Sequence, residues 1–480
     1  MYKRCIFMLA DGARVDVFND ALAKGDLPNI QRHIIERGSA PKSLVTCFPS
    51  ITGPAYIPFL MGCYPSTVNI PAIRWFDRTK YRPGAWPWGF ARSYIGPESM
   101  LLDRDMRQEG RTVFEIIDHA SAIFCPVRRG IKRRYDRTPV LKHWYMACRA
   151  HWTDNWQWAD NTVARKVQKI LREDFQFIYA VFPAIDEYSH FDSIFGRNTC
   201  KAYRELDRHV GDMVRTLKET GRYDETLLAI ASDHGLTDTH THFELWDFMN
   251  RQGYDTFHYP KIFKRKFDAV SMASGNAMGH LYVRHEKGWQ QPTHYEDLSD
   301  SLVPALIERP EIDIILSRMA DGSVHVDSDR GAATITPVGE TLQYQVERGE
   351  PFGFPKLPAQ TTNDESLHLT INEDYPDALL QASRIFQTPR CGDVVVTSKM
   401  GYDLRDKYES PEHSASHGTL HKEHMRIPFF LSHNVDSEYF RTVDVFPTLL
   451  DLLGIPWQQY PMDGVSQVTA AQPSIATTAL

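Results

Sequence analysis

"RCIFMLADG", residues 4–12, is an unbroken apolar run that stops at Asp-Gly. It lacks the alternation of a strand with one wet face, and it is too short for a signal-peptide core or a membrane span. A buried strand ending in a turn fits it. Similar runs recur at "FQFIYAVFPAID" (175–186), "TLLAIASDHG" (226–235), "DVVVTS" (393–398) and "RIPFFLS" (426–432). Helical patterns separate them at "NIQRHIIERG" (29–38), "CKAYRELDRHVGDMVRTLKETG" (200–221) and "VDVFPTLLDLLGI" (443–455). Helices alternating with strands buried on both faces predict an α/β fold, with a mostly parallel central sheet between helical layers.

Two stretches break the alternation. Residues 66–160 are rich in Arg, Trp, Tyr and Pro and contain "RRGIKRRYDR" (128–137) and "HWYMACRAHWTDNWQW" (143–158). Residues 260–370 contain "GNAMGHLYV" and "TLQYQVERGEPFGF", which read as strands and turns. The expected organisation is a core over 1–260 and 371–465 with an insertion at about 66–160, a β-rich cap over 261–370, and a loose tail at 466–480. The 480 residues carry a net charge of −7, which argues against a general nucleic-acid binder. Seven scattered cysteines without a C-x-x-C pair favour free thiols. With no transmembrane segment expected, the reading places the protein in the cytoplasm and leaves its oligomeric state open.

Chemistry collects at the strand ends. Asp11 follows the first run, Asp186 and His190 the second, and Asp233 and His234 the third, while His417 lies between the last two runs. Ligands of open α/β sheets bind at the carboxyl ends of strands, so these residues can converge. Taken singly, each has a plain explanation: a turn for Asp11-Gly12, a strand exit for Asp233-His234, a surface pair for Asp186 and His190. Together, three Asp and three His suit zinc, or manganese or another transition metal, and are enough for two divalent ions. Such a pair, roughly 4 Å apart, holds both the attacking and the leaving oxygen in phosphoryl transfer.

The stretch "LVTCFPSITGPAYIPFLMG" (44–62) supplies a hydroxyl, Thr52, before a short apolar helix with Pro54 near its first turn. Thr52 or Ser50 as a helix cap is the plain alternative. A threonine hydroxyl is a poor nucleophile near neutral pH, so attack on phosphorus requires a metal beside it.

These pieces resemble the alkaline phosphatase superfamily, in particular its type I phosphodiesterase/nucleotide pyrophosphatase branch. "LADGAR", "FPSITGPAYIPFLMGCYP", "PAIDEYSH", "IASDHG", "SHGTLHKEHMRIPFFL" and "TVDVFPTLLDLLGI" occur in that branch's order. The resemblance implies an alkaline-phosphatase-like three-layer core. It implies one ion on Asp186, His190 and His417 and a second on Asp11, Asp233 and His234, with Thr52 between them forming a covalent phospho-threonine. The chain departs from the pattern after "GCYP": Ile73 stands where the branch has an Asn that binds a phosphate oxygen, so Asn69 or Arg74 is expected to take that role. Sulfatases need C-x-P-x-R, and "CFPSI" (47–51) has Ile51 in place of the Arg, so Cys47 reads as a small buried residue.

The expected activity is hydrolysis of a small phosphodiester, with a phosphomonoesterase or a phospholipase C-like headgroup hydrolase as alternatives and a catalytically dead binding module as the remaining one. The Trp-rich stretch is expected to be subdomain core. Its alternative is a lipid-contacting surface that would make the protein peripheral at a membrane. Asn276 and His280 are expected to be structural. His242 and His413 are expected to sit behind the metal ligands.

Overall fold

The computed structural model describes residues 2–38, 42–260, 263–404, 412–435 and 437–468. Its central sheet has seven strands in the order Tyr439–Arg441, Lys42–Val45, Arg426–Leu431, Thr226–Ala231, Arg4–Ala10, Phe177–Phe182, Ala120–Ile123. Neighbours pair in parallel except at Arg426–Leu431, which is antiparallel to both of its partners. Phe177–Phe182 and Thr226–Ala231 are buried along their whole length, the burial expected of apolar runs covered on both faces.

Helices cover both faces. Phe7 lies directly across from Tyr179 and packs on Phe59 of the Ile57–Met61 helix. The next residue along, Met8, faces the other way in register with Ile230, which is paired with Phe430. Phe430 meets Phe18 of the Val15–Ala23 helix, and Phe18 meets Tyr203 of Arg197–Glu219. That long helix buries Thr199, Ala202, Tyr203, Leu206, Val210, Met213, Val214 and Leu217, a stripe at helical spacing. The arrangement is an alkaline-phosphatase-like three-layer α/β core.

A second, nine-stranded sheet runs Gln360–Thr362, Thr341–Gly349, Gly331–Val338, Val324–Ser328, Ile312–Arg318, Val394–Ser398, Met278–Val283, Ala269–Ser274, Thr256–His258. The run at 393–398, read from sequence beside the core strands, is therefore an interior strand of this second sheet. Conversely, Ala120–Ile123 lies within the stretch read as an insertion and forms an edge of the central sheet. Most of the tail expected at 466–480 lies outside the described residues. No helix among the described residues is long and apolar enough to cross a membrane.

Candidate active site

Three parallel strands end in step: Leu9 is level with Val181 and Ala231, and Ala10 with Phe182. The next residues out are Asp11, Asp233 and, in the first turn of the helix Ala184–Asp192, Asp186. Gly12 follows in the left-handed region at φ +67°, and a Cβ there would lie 2.6 Å from Asp186 Oδ1. Asp11-Gly12 is thus a turn and also the place where two strand ends press together.

His190 is one helical turn beyond Asp186, with its Nε2 3.5 Å from Asp186 Oδ2. Donor atoms of Asp186, His190 and His417 lie within 4.8 Å of one another, as do those of Asp11, Asp186 and His234. Asp233 adjoins the second group: its Oδ1 accepts the Gly12 N–H at 3.2 Å and its Oδ2 is 3.3 Å from His234 Nε2. Each imidazole is oriented by a carbonyl, which can only accept, so each Nδ1 carries the proton. The partners are Ala415 for His190 (2.8 Å), Ser50 for His417 (3.0 Å) and Gly235 for His234 (3.2 Å). That leaves the three Nε2 atoms as the potential metal donors, with His234 and His417 stacked at 3.7 Å between ring centres.

The cluster is short of positive charge. Burial and the neighbouring Asp233 and Asp186 push the Asp11 carboxyl well above the ordinary range, and burial also raises Asp233. At Asp186 burial acts upward too, but the nearby His190 outweighs it and the net direction is down. His190 moves up to about 9, because Asp186 outweighs the desolvation that pushes it down. Asp186 Oδ1 and Asp233 Oδ2 are buried with no hydrogen-bond partner. Buried carboxylate oxygens are normally satisfied, so these two mark positions for a cation. Oxygen and imidazole donors in this number fit a pair of divalent ions.

The hydroxyl sits against this cluster. Thr52 Oγ1 is 2.8 Å from His234 Nε2 and 3.4 Å from Asp11 Oδ1. Gly53, at φ +90°, turns the chain into the short helical segments Pro54–Tyr56 and Ile57–Met61. Ser50 and several residues not singled out in the sequence hold the loop. The Thr46 hydroxyl donates to the Asp233 carbonyl at 2.6 Å, and that of Ser50 to the Thr419 carbonyl at 2.9 Å. The Phe48 N–H donates to Oε1 of the buried Gln381 at 2.9 Å, and Gln381 Nε2 donates to Asp377 at 2.8 Å. Arg441 clamps Asp377 through two nitrogens at 2.7 and 2.8 Å. Tyr56 donates its hydroxyl to Asp11 Oδ2. Its position four residues after Thr52, ahead of a helix, was the available signal. Cys47 is fully buried, which pushes its thiol up to about 12.

Of the two residues expected to contact substrate, Asn69 turns its side-chain amide to the Thr388 hydroxyl at 2.6 Å, and its backbone carbonyl accepts from Arg390 at 2.9 Å. Arg74 lines a small surface cleft with Trp246, His258, Tyr259, Ser271 and Leu404. The cleft adjoins the cluster through the turn after Ala269–Ser274, because the His417 N–H donates to the Gly275 carbonyl at 2.9 Å. The backbone of Asn276 bridges to His417, and buried His280 accepts the Gly392 N–H at 3.2 Å. His413 packs its ring 4.4 Å from that of His190, whereas His242 pairs with buried Asp403 and exposed Glu412.

A parallel sheet that brings three aspartates, three histidines and a hydroxyl to its carboxyl edge defines the class: a phosphoric ester hydrolase on an alkaline-phosphatase-like core. The family model "type I phosphodiesterase / nucleotide pyrophosphatase" matches residues 5–420, and the chain belongs to that family. A search of curated proteins finds no match. Among solved structures, murine ectonucleotide pyrophosphatase/phosphodiesterase 5 is similar at TM-score 0.56 and 12% identity, covering 96% of this chain and 97% of that one. Phosphonoacetate hydrolase from Sinorhizobium meliloti, in complex with phosphonoacetate, is similar at TM-score 0.56 and 14% identity, covering 93% and 94%. An inactive threonine-to-alanine form of the murine protein in complex with AMP matches at TM-score 0.55 and 12% identity, covering 96% and 97%.

Proposed function

We propose that the protein is a two-metal phosphodiesterase that acts through a covalent phospho-threonine on Thr52. The observation that carries this reading is the place of Thr52 Oγ1, 2.8 Å from His234 Nε2 and 3.4 Å from Asp11 Oδ1. Asp186, His190 and His417 would hold one divalent ion, and Asp11, Asp233 and His234 the other. When bound, the ions, zinc in this reading, supply Lewis acidity and neutralise charge at the phosphorus. Thr52 Oγ1 loses its proton to solvent and forms a bond to phosphorus as the bond to the leaving oxygen breaks, and that oxygen departs as an anion or takes a proton from water. Water then attacks the phospho-threonine and releases Thr52. The Ser50 and Gln381 contacts hold the loop so that Oγ1 needs little reorientation. In the murine relative a threonine-to-alanine form is described as inactive, which supports a catalytic threonine here.

Arg74 lines the adjoining cleft and would meet an outer phosphate oxygen or a charged leaving group. A guanidinium in place of the branch's neutral Asn also favours a second reading, hydrolysis of doubly charged monoesters. Its seven free cysteines favour a reducing compartment, and we place the protein in the cytoplasm. The test is turnover of bis-p-nitrophenyl phosphate and p-nitrophenyl phosphate by wild type and Thr52→Ala, with and without chelator, alongside metal analysis. The expected result is diester turnover that chelator removes and Thr52→Ala abolishes, with two ions retained per chain. Chelator-insensitive turnover, or an active Thr52→Ala, overturns the reading.

A further inference from the structure

The basic, Trp-rich stretch has no part in the reaction above. It folds into a hairpin of two helices, Val140–Thr153 and Trp156–Ile170. The second helix is an ordinary packed one. It buries Trp156, Ala159, Val163, Ala164 and Val167, as the core expectation required. The first is different: it runs about 21 Å yet fully buries only Met146 and Ala150, with His143 and Trp144 half-buried. Its outer face shows Leu141, Tyr145 and Trp152 at 86%, 59% and 82% exposure, at helical spacing. Large apolar side chains left on one face of a helix mark a contact surface.

The charge around that face is mostly positive. The helix, VLKHWYMACRAHWT, contains no Asp or Glu, and Lys142 and Arg149 lie exposed beside the apolar stripe. The preceding segment exposes Lys132, Arg133 and Arg134. Nearby acids are already engaged: Asp136 with Arg128, Glu173 with Arg137 and Asp118 with Lys132. Asp154, after the helix, is the acid at the rim.

We propose that the Val140–Thr153 helix, with its basic lead-in, is a docking surface for an anionic lipid bilayer. Leu, Tyr and Trp at the headgroup boundary with Lys and Arg alongside are the composition of a helix that lies in the interface plane. A symmetric second copy does not fit, because it would set this cationic face against itself. The hairpin is fastened to the catalytic core: Asp160 accepts the N–H of Ala184 at 3.2 Å, and the Tyr188 hydroxyl accepts that of Gln157 at 3.1 Å. Both bonds end on the helix that carries Asp186 and His190, so docking brings that helix close to the lipid surface.

The test is co-sedimentation of the full chain with vesicles of phosphatidylcholine alone or with phosphatidylserine added, at low and high salt. It reads no turnover, so its outcome is separate from that of the proposed reaction. Binding is expected only to the serine-containing vesicles, to weaken with salt, and to fall about fivefold for each of Lys142→Glu and Arg149→Glu. Trp152→Ala with Leu141→Ala is expected to lose about tenfold or more while its circular dichroism is unchanged, since both side chains are exposed. Equal binding to neutral vesicles, no binding to either, or variants that bind like wild type overturns the proposal. So does a concentration-dependent dimer that disappears in Trp152→Ala.

Discussion

Gly12→Ala tests the geometry on which the site depends, and Gly25→Ala is its control. Both glycines are left-handed, at φ +67° and +75°. At Gly25 an added Cβ meets nothing within 4 Å, so the change costs only the backbone term, roughly 1–2 kcal/mol. At Gly12 the Cβ would lie 2.6 Å from both Asp186 Oδ1 and Leu236 Cδ1. That contact is closer than real Cβ atoms tolerate, and both neighbours are packed. Overpacking adds about 1–3 kcal/mol, for a total of roughly 2–5 kcal/mol. The difference between the two variants isolates the steric term. It should appear in denaturant midpoints of chelator-treated protein and, because Asp186 must move, as weaker metal retention in a competition assay for Gly12→Ala alone. A Gly12→Ala protein as stable as Gly25→Ala, with normal metal retention, refutes the claim that these strand ends press together.

Tyr56→Phe removes a hydrogen bond to the Asp11 carboxylate, worth about 1.5–3 kcal/mol for a charged acceptor. It is expected to weaken metal retention by about tenfold or more, with the fold intact by circular dichroism. Gln381→Leu leaves the Phe48 N–H without its acceptor and should cost about 1–3 kcal/mol in denaturation. It should also lower kcat more than it raises KM, because the loop that carries Thr52 loosens. Burial, with Arg128 adding to it, pushes His143 down to about 4. Between that value and the unfolded value of about 6.5 the unfolded chain binds more protons, so stability rises with pH across the window and is lost on acidification. The loss is on the order of 3 kcal/mol, and His143→Gln should flatten it in denaturation curves taken across that range.

Much of the site could be read from the chain because strand ends announce themselves. The runs before Asp11, Asp186 and Asp233 are apolar throughout, since each strand is covered on both faces, and each stops where the chain presents its aspartate to the buried cluster. Run composition does not say which sheet a strand joins. Val394–Ser398 is as apolar as the core strands, yet it pairs with Met278–Val283 and Ile312–Arg318. Ala120–Ile123, "ASAI", is too short and too small to stand out, although it pairs along its length with Phe177–Phe182. The supports of the site were hidden for another reason. Gln381, Asp377 and Arg441 lie more than three hundred residues from the loop they hold, and nothing local marks them as partners.

The one reversed strand of the central sheet sets an order of events. Because Arg426–Leu431 runs against its neighbours, the chain arrives at it from the ligand edge, and His417 precedes its strand where Asp11, Asp186 and Asp233 follow theirs. A nascent polypeptide leaving the ribosome therefore presents Asp11, Thr52 and four of the other donors long before it presents His417. Until the reversed strand is in place, the ion proposed at Asp186 and His190 would lack its third ligand. Loading of that proposed position would thus be tied to closure of the sheet, whereas Asp11, Asp233 and His234, the set proposed for the other ion, all precede the reversed strand.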